Sequence, residues 1–160
     1  MSASSALIPL IDVRIQAEDF DLSSELARLT DGRHNIGGVA SFIGLCRDEG
    51  GQLSALELEH YPGMAESAIR KIAEQAATQF SLNGIIAIHR FGKIAPGGNI
   101  VLVAAAAPHR KAAFEGAEFL MDFLKTDAPF WKKEHLIDGS SGKWVSAKDA
   151  DDQAKARWLK

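Results

Sequence analysis

Cysteine is nearly absent from this chain: Cys46 stands alone in 160 residues. A lone thiol makes no internal disulfide, and a Cys-rich zinc site needs several ligands. No stretch approaches the ~20 apolar residues that a membrane span requires. The apolar start Ala6-Leu7-Ile8-Pro9-Leu10-Ile11 has no basic residue before it, is interrupted by Pro9 and runs into Asp12 and Arg14, unlike a secretory signal. Charge of one sign is not in surplus either: 18 Lys+Arg oppose 21 Asp+Glu, a formal net charge of −3. Nucleic-acid binding takes clustered surplus Lys and Arg to neutralise phosphates, so no nucleic-acid partner is expected. What is present is ordinary globular material, 46% hydrophobic and 24% charged. The expectation is one cytoplasmic domain over residues 1–160, with a polar tail at 140–160.

Periodicity divides the chain. Ile11 to Gln16 reads as a strand, and Leu22, Leu26 and Leu29 mark a helix with Asp21 at its N-cap and Gly32 beyond its end. The apolar run Ile36 to Leu45 and the alternating Leu53 to Tyr61 flank turn-like residues 47–52, which predicts a hairpin. Ala65, Ile69, Ile72, Ala73, Ala76 and Phe80 mark a second helix. Strands follow at Ile85 to Phe91 and Ile100 to Ala107, separated by the turn Pro96-Gly97-Gly98-Asn99. A third helix runs from about Arg110 to Thr126, Trp144-Val145 is a short strand, and Gln153 to Trp158 reads as a last helical turn or two. The order β-α-β-β-α-β-β-α predicts an α+β fold with a largely antiparallel sheet.

Generic catalytic motifs are missing: no G-x-x-x-x-G-K-[ST], G-x-S-x-G, H-E-x-x-H or G-x-G-x-x-G. The histidines His34, His60, His89, His109 and His135 show no metal-ligand spacing, so neither a metal nor a resident cofactor is expected. Donors concentrate at the two ends of the third helix. Pro108-His109-Arg110-Lys111 enters it, where unpaired backbone N–H groups and the positive dipole end favour an anion. These residues form an anion site or simply cover a solvated helix start. At the far end, Lys125 is a dipole partner or, with Lys132 and Lys133 brought back past Pro129-Phe130-Trp131 so that close lysines depress one another's pKa, a base or nucleophile at neutral pH. Arg47, after Gly44-Leu45-Cys46, is a surface turn residue or a further anion ligand, and Cys46 reads as a buried spectator.

Several unusual strings in one order carry a resemblance. They are Gly38-Val39-Ala40-Ser41-Phe42-Ile43-Gly44 with Arg47, Leu58-Glu59-His60-Tyr61-Pro62-Gly63-Met64-Ala65, Ile88-His89-Arg90-Phe91-Gly92, Pro108-His109-Arg110, and Met121-Asp122-Phe123-Leu124-Lys125 through Ala128-Pro129-Phe130-Trp131-Lys132-Lys133-Glu134. Together, in an order that runs over about residues 36–145, they resemble the large, catalytic subunit of molybdopterin synthase, which implies a domain core over that span. The resemblance implies an α/β-hammerhead-like fold with a small additional β subdomain, and a sulfurtransferase of molybdenum-cofactor biosynthesis. The implied reaction moves sulfur from a C-terminal Gly-Gly thiocarboxylate on a small ubiquitin-like carrier subunit to cyclic pyranopterin monophosphate (precursor Z), building a dithiolene. The implied assembly is a homodimer within a heterotetramer. By the same resemblance Lys125 is the essential lysine beside the thiocarboxylate and Lys132 the second catalytic lysine, with Lys133 and Glu134 adjoining in the substrate pocket. Arg47, His109 and Arg110 match residues lining the pterin-phosphate pocket. The loop after Arg47 is a couple of residues shorter than the family's, and Leu45-Cys46 departs from its pattern.

Helix geometry adds an independent expectation. Arg110 and Lys125 are 15 positions apart, roughly 22 Å along a straight helix at 1.5 Å per residue. One small pterin does not bridge that distance: either the two ends serve different sites, or Lys125 of one subunit meets His109-Arg110 of its partner across a two-fold interface, and the second is expected. Two other readings fit the same residues: an inactive carrier-binding module, and another small-anion or nucleotide-binding enzyme with Phe130-Trp131 as a stacking wall.

Overall fold

The computed structural model describes residues 8–146. Its elements are β1 (Leu10–Gln16), α1 (Leu22–Thr30), β2 (Gly38–Leu45), β3 (Leu53–His60), α2 (Met64–Gln79), β4 (Gly84–Arg90), β5 (Gly92–Ile94), β6 (Asn99–Ala107), α3 (Arg110–Thr126), β7 (Phe130–Leu136) and β8 (Val145–Ser146). They form two four-stranded sheets, ordered β1-β4-β6-β2 and β5-β3-β7-β8. Only the β1–β4 pair is parallel. The fold is α+β and mostly antiparallel.

The first sheet is covered on both sides, which explains the near-continuous apolar runs of its central strands. Alternate residues of a strand point to opposite faces. Ile85 and Ala87 of β4, with Val101, Val103, Ala105 and Ala107 of β6, pack with Ala65, Ile69 and Ala73 of α2 and Ala113, Ala117 and Leu120 of α3. Ile86 and Ile88, with Leu102, Ala104 and Ala106, face the opposite way onto Leu22, Leu26 and Leu29 of α1. Alanine on β6 keeps the covering helices close. Asp21 does occupy the N-cap of α1, but its carboxylate accepts the Ser24 hydroxyl at 2.6 Å instead of a backbone N–H. No helix among the described residues is long and apolar enough to cross a membrane.

The second sheet departs from expectation. β2 and β3 are not a hairpin: β2 pairs with β6 in the first sheet, and β3 pairs with β5 and β7 in the second. Residues 46–52 therefore carry the chain from one sheet to the other. The loop is pinned at its root, where the Cys46 N–H donates to the Gly98 carbonyl at 2.8 Å and the Gly97 N–H to the Cys46 carbonyl at 2.7 Å. Strands β5 and β7 have no counterpart in the sequence reading. The expected helical turn at Gln153 to Trp158 lies outside the described residues.

Candidate functional site

The crossing between the sheets builds a cleft. It has a volume of about 480 Å³ and lies where the 46–52 loop, the last turn of α3 and one face of β7 converge. Arg47, Lys125 and Lys132 line it together with Asp48, Glu49 and Glu134. Strand alternation selects the β7 side chains: Lys132 and Glu134 pair with Leu58 and Leu56 of β3 and share their face. Leu56 is thus part of the apolar floor beneath the charges.

Lys133 falls on the other face. Its ammonium lies 5.5 Å from the centre of the Trp144 ring, and neighbouring His135 Nε2 is 2.7 Å from Glu57 Oε1. Expected in the substrate pocket, it does not line the cleft.

Deeper in, a chamber of about 120 Å³ adjoins the cleft and shares Lys125, Lys132, Leu56 and Ile100 with it. His89, Met121, Phe130 and Trp131 complete much of its wall. His89 lies at the end of β4 on the α3 side, and its ring stacks on Phe130 with centroids 3.8 Å apart. Burial, and secondarily the charge of Lys125, pulls the His89 pKa from 6.5 to about 4, so the ring is neutral at neutral pH. Sequence reasoning assigned His89 no role. Its one signal was a lone polar ring ending an otherwise apolar strand.

The loop's own residues are preorganised. Asp48 Oδ1 accepts the Leu53 backbone N–H at 3.3 Å, and the Arg47 guanidinium is ion-paired with Glu49. The Cys46 thiol is buried, and desolvation raises its pKa, which disfavours a thiolate. Among the described residues no cluster of His, Cys, Asp and Glu is arranged to hold a metal.

The chain has known relatives. A family model described as "MoaE protein" matches residues 15–127. The chain belongs to the MoaE family. A Rhizobium meliloti (strain 1021) relative, named molybdopterin synthase catalytic subunit, is 62% identical over 94% of this chain and 97% of its own length. A Mesorhizobium japonicum relative of the same name is also 62% identical, over 97% of this chain and 96% of its own. Among solved structures, the Molybdopterin biosynthesis MoaE protein from Burkholderia ambifaria MC40-6 superposes with a TM-score of 0.82, at 46% identity, covering 94% of this chain and 99% of that one. Molybdopterin synthase from Staphylococcus aureus superposes at a TM-score of 0.71 with 31% identity, covering 82% and 95%.

Within this MoaE chain the expected site residues separate into two groups. Arg47, Lys125, Lys132 and Glu134 meet in the cleft. His109 and Arg110 do not: His109 is the N-cap of α3 and Arg110 its first residue, while Lys125 stands in its last turn. Both His109 and Arg110 are exposed, and the first turn of α3 has no acidic residue to compete for an anion. Gly37 holds this helix start close to the sheet. A Cβ at Gly37 would lie 2.0 Å from the Pro108 carbonyl oxygen, so no larger residue fits without displacing the entry to α3.

Proposed function

We propose that the chain is the catalytic subunit of a molybdopterin synthase. It transfers sulfur from the C-terminal thiocarboxylate of a small ubiquitin-like carrier subunit to cyclic pyranopterin monophosphate. The observation that carries this reading is the convergence of Lys125, Lys132 and Arg47 on one cleft in a chain 62% identical to relatives named for that activity.

Lys125 meets the thiocarboxylate, where its ammonium polarises the acyl group as charge develops on it. Lys132 and Arg47 bind and orient the phosphate and pterin, with Glu134 beside them in the cleft. The carrier's sulfur bonds to a substrate carbon as that carbon's bond to a cyclic-phosphate oxygen breaks, leaving the phosphate as a monoester on its other oxygen. Water then cleaves the bond between sulfur and acyl carbon, leaving a carboxylate tail on the carrier and the sulfur on the substrate. A second carrier delivers its sulfur to the neighbouring, carbonyl-level carbon, whose oxygen leaves as water, and the pair of sulfurs is the dithiolene. Lys133, on the far face of β7, affects the pocket through the strand.

His109 and Arg110 complete the phosphate site of a partner subunit. Supporting this, β2 is an edge of its sheet with Val39, Phe42 and Leu45 exposed, and Phe114 of α3 is 64% exposed nearby. An apolar edge of that kind is what a second copy of the chain covers. The assembly is a homodimer carrying a carrier subunit on each protomer, acting in the cytoplasm.

The test is reconstitution: the purified chain, thiocarboxylated carrier and precursor are mixed and molybdopterin is measured. Wild-type protein converts the precursor. Lys125→Ala loses roughly 10²–10³-fold in rate, the range seen when one charge-stabilising donor is removed. Conversion by Lys125→Ala at near wild-type rate rejects the assignment, and carrier binding without conversion by the wild-type chain makes it a binding module.

A further inference from the structure

The inner chamber contains more than the lysines need for binding. His89 Nδ1 is 2.9 Å from the Arg90 carbonyl oxygen. A carbonyl only accepts, so Nδ1 carries the proton and Nε2 presents its lone pair. Among the described residues nothing hydrogen-bonds Nε2. The ring is braced against Phe130, tilted by 17° and stacked at 3.8 Å, so its direction is set by packing.

The other chamber walls sharpen the point. Apart from His89, the lining side chains are aliphatic, aromatic, methionine or donor-only: Trp131 has an indole N–H, and Lys125 and Lys132 have ammonium groups. His89 Nε2 is therefore the one strong side-chain acceptor lining the chamber. Lys125 borders both chamber and cleft on a flexible four-carbon stem, and in the open cleft its head is solvated. When a carrier tail and substrate fill the cleft, water leaves, and the ammonium protons that the thiocarboxylate does not accept need a protein acceptor.

We propose that His89 is a positioning residue for the transfer, its Nε2 accepting the hydrogen bond that draws the Lys125 ammonium inward when the cleft is filled. This rests on the sulfur-transfer reading above. His89 shares the chamber with Lys125 from α3 and Lys132 from β7 and lies near His60 from β3, and no carboxylate lines the chamber. The positive charge of Lys125 opposes protonation of the ring. His89 thus remains an acceptor, adding no positive charge to repel the lysine. The Nδ1 atom of His60 is buried without a hydrogen-bond partner, and its ring lies 4.7 Å from that of Phe91.

The test compares two variants in steady-state molybdopterin formation with saturating thiocarboxylated carrier. His89→Phe keeps an aromatic ring against Phe130 but removes the acceptor. His89→Gln keeps an acceptor oxygen and loses the ring. The expected result is a fall in kcat of roughly 10- to 100-fold for His89→Phe, the size of one hydrogen bond to a charged group. KM for the precursor stays within about twofold and His89→Gln recovers to within about fivefold of wild type, because acceptor capacity is what matters. A full kcat in His89→Phe, or equal losses in both variants, overturns the proposal. If His89→Phe does not fold by circular dichroism, His89→Leu takes its place under the same criteria. A wild-type chain that makes no molybdopterin overturns the sulfur-transfer reading itself, whereas an active wild type with unaffected variants overturns only the role of His89.

Discussion

The imidazole of His89 lies nearly flat on the Phe130 ring, the two centroids 3.8 Å apart and the planes 17° apart. This stack joins β4 of one sheet to β7 of the other, at the point where the chamber behind Lys125 closes. It places a titratable ring where burial favours its neutral form.

A dependence of stability on pH follows. The folded-state pKa of about 4 lies below the ordinary 6.5, so the unfolded chain binds the extra proton in that window. Stability is therefore lost as pH falls from about 6.5 towards 4. Between pH 7 and pH 5 this one group is expected to remove roughly 2 kcal/mol. Denaturant titrations at the two pH values check it: wild type shows the loss, and His89→Phe shows a smaller one. Equal losses in both proteins reject the assignment.

Gly37 sets the position of the helix start that carries His109 and Arg110. In Gly37→Ala the new methyl collides with the Pro108 carbonyl, and the expected cost is about 1–3 kcal/mol, as for other overpacked sites. At Gly38 an added Cβ meets the Arg110 Cα at 3.4 Å, an ordinary contact, so Gly38→Ala is expected to be far milder. Chemical denaturation of the two variants side by side decides the matter.

Glu49 occupies the guanidinium that the phosphate is proposed to use. Both partners are exposed, at 79% for Arg47 and 71% for Glu49, so the pair is weak and exchanges readily. Glu49→Gln is expected to lower KM for the precursor by roughly two- to fivefold without changing kcat. The wild-type KM is expected to be the less salt-sensitive of the two, because the carboxylate offsets part of the attraction. An unchanged or raised KM in Glu49→Gln removes Arg47 from the phosphate site.

A shared site predicts complementation. Lys125→Ala and Arg110→Ala homodimers each lack one half of every site, whereas a mixed dimer retains one intact site. Unfolding and refolding the two together is expected to restore about a quarter of wild-type activity, since half the dimers are mixed and half of their sites are whole. No recovery in mixtures shown to contain mixed dimers places His109-Arg110 and Lys125 in separate sites.

The parts of this molecule readable in advance were those governed by local pattern. α3 was legible to its ends because Ala113, Ala117, Leu120 and Leu124 recur at helical spacing between Pro108 and Pro129. Strands β4 and β6 were legible from their apolar runs. β7 was not, because Trp131-Lys132-Lys133-Glu134-His135 has no apolar alternation; it is a strand because β3 pairs with it along most of its length. The β2–β3 hairpin was a reasonable inference from turn residues 47–52 that pairing overruled: each strand finds its partners in a different sheet.

The sequence by itself determined the α+β class, the three helices among the described residues, the mild acidity, and which lysines and arginines are candidates for the site. It also implied, from helix rise alone, that Arg110 and Lys125 stand too far apart to hold one small ligand. Only the tertiary structure decided that Lys132 and Glu134 face the cleft while Lys133 turns to Trp144, because a one-residue step on a strand reverses the face and the pairing with β3 sets which face is inward. Only it brought Arg47 to Lys125, across 78 positions of chain, by carrying residues 46–52 between two sheets. And only it enclosed His89, since burial belongs to the packed layers and not to any local pattern.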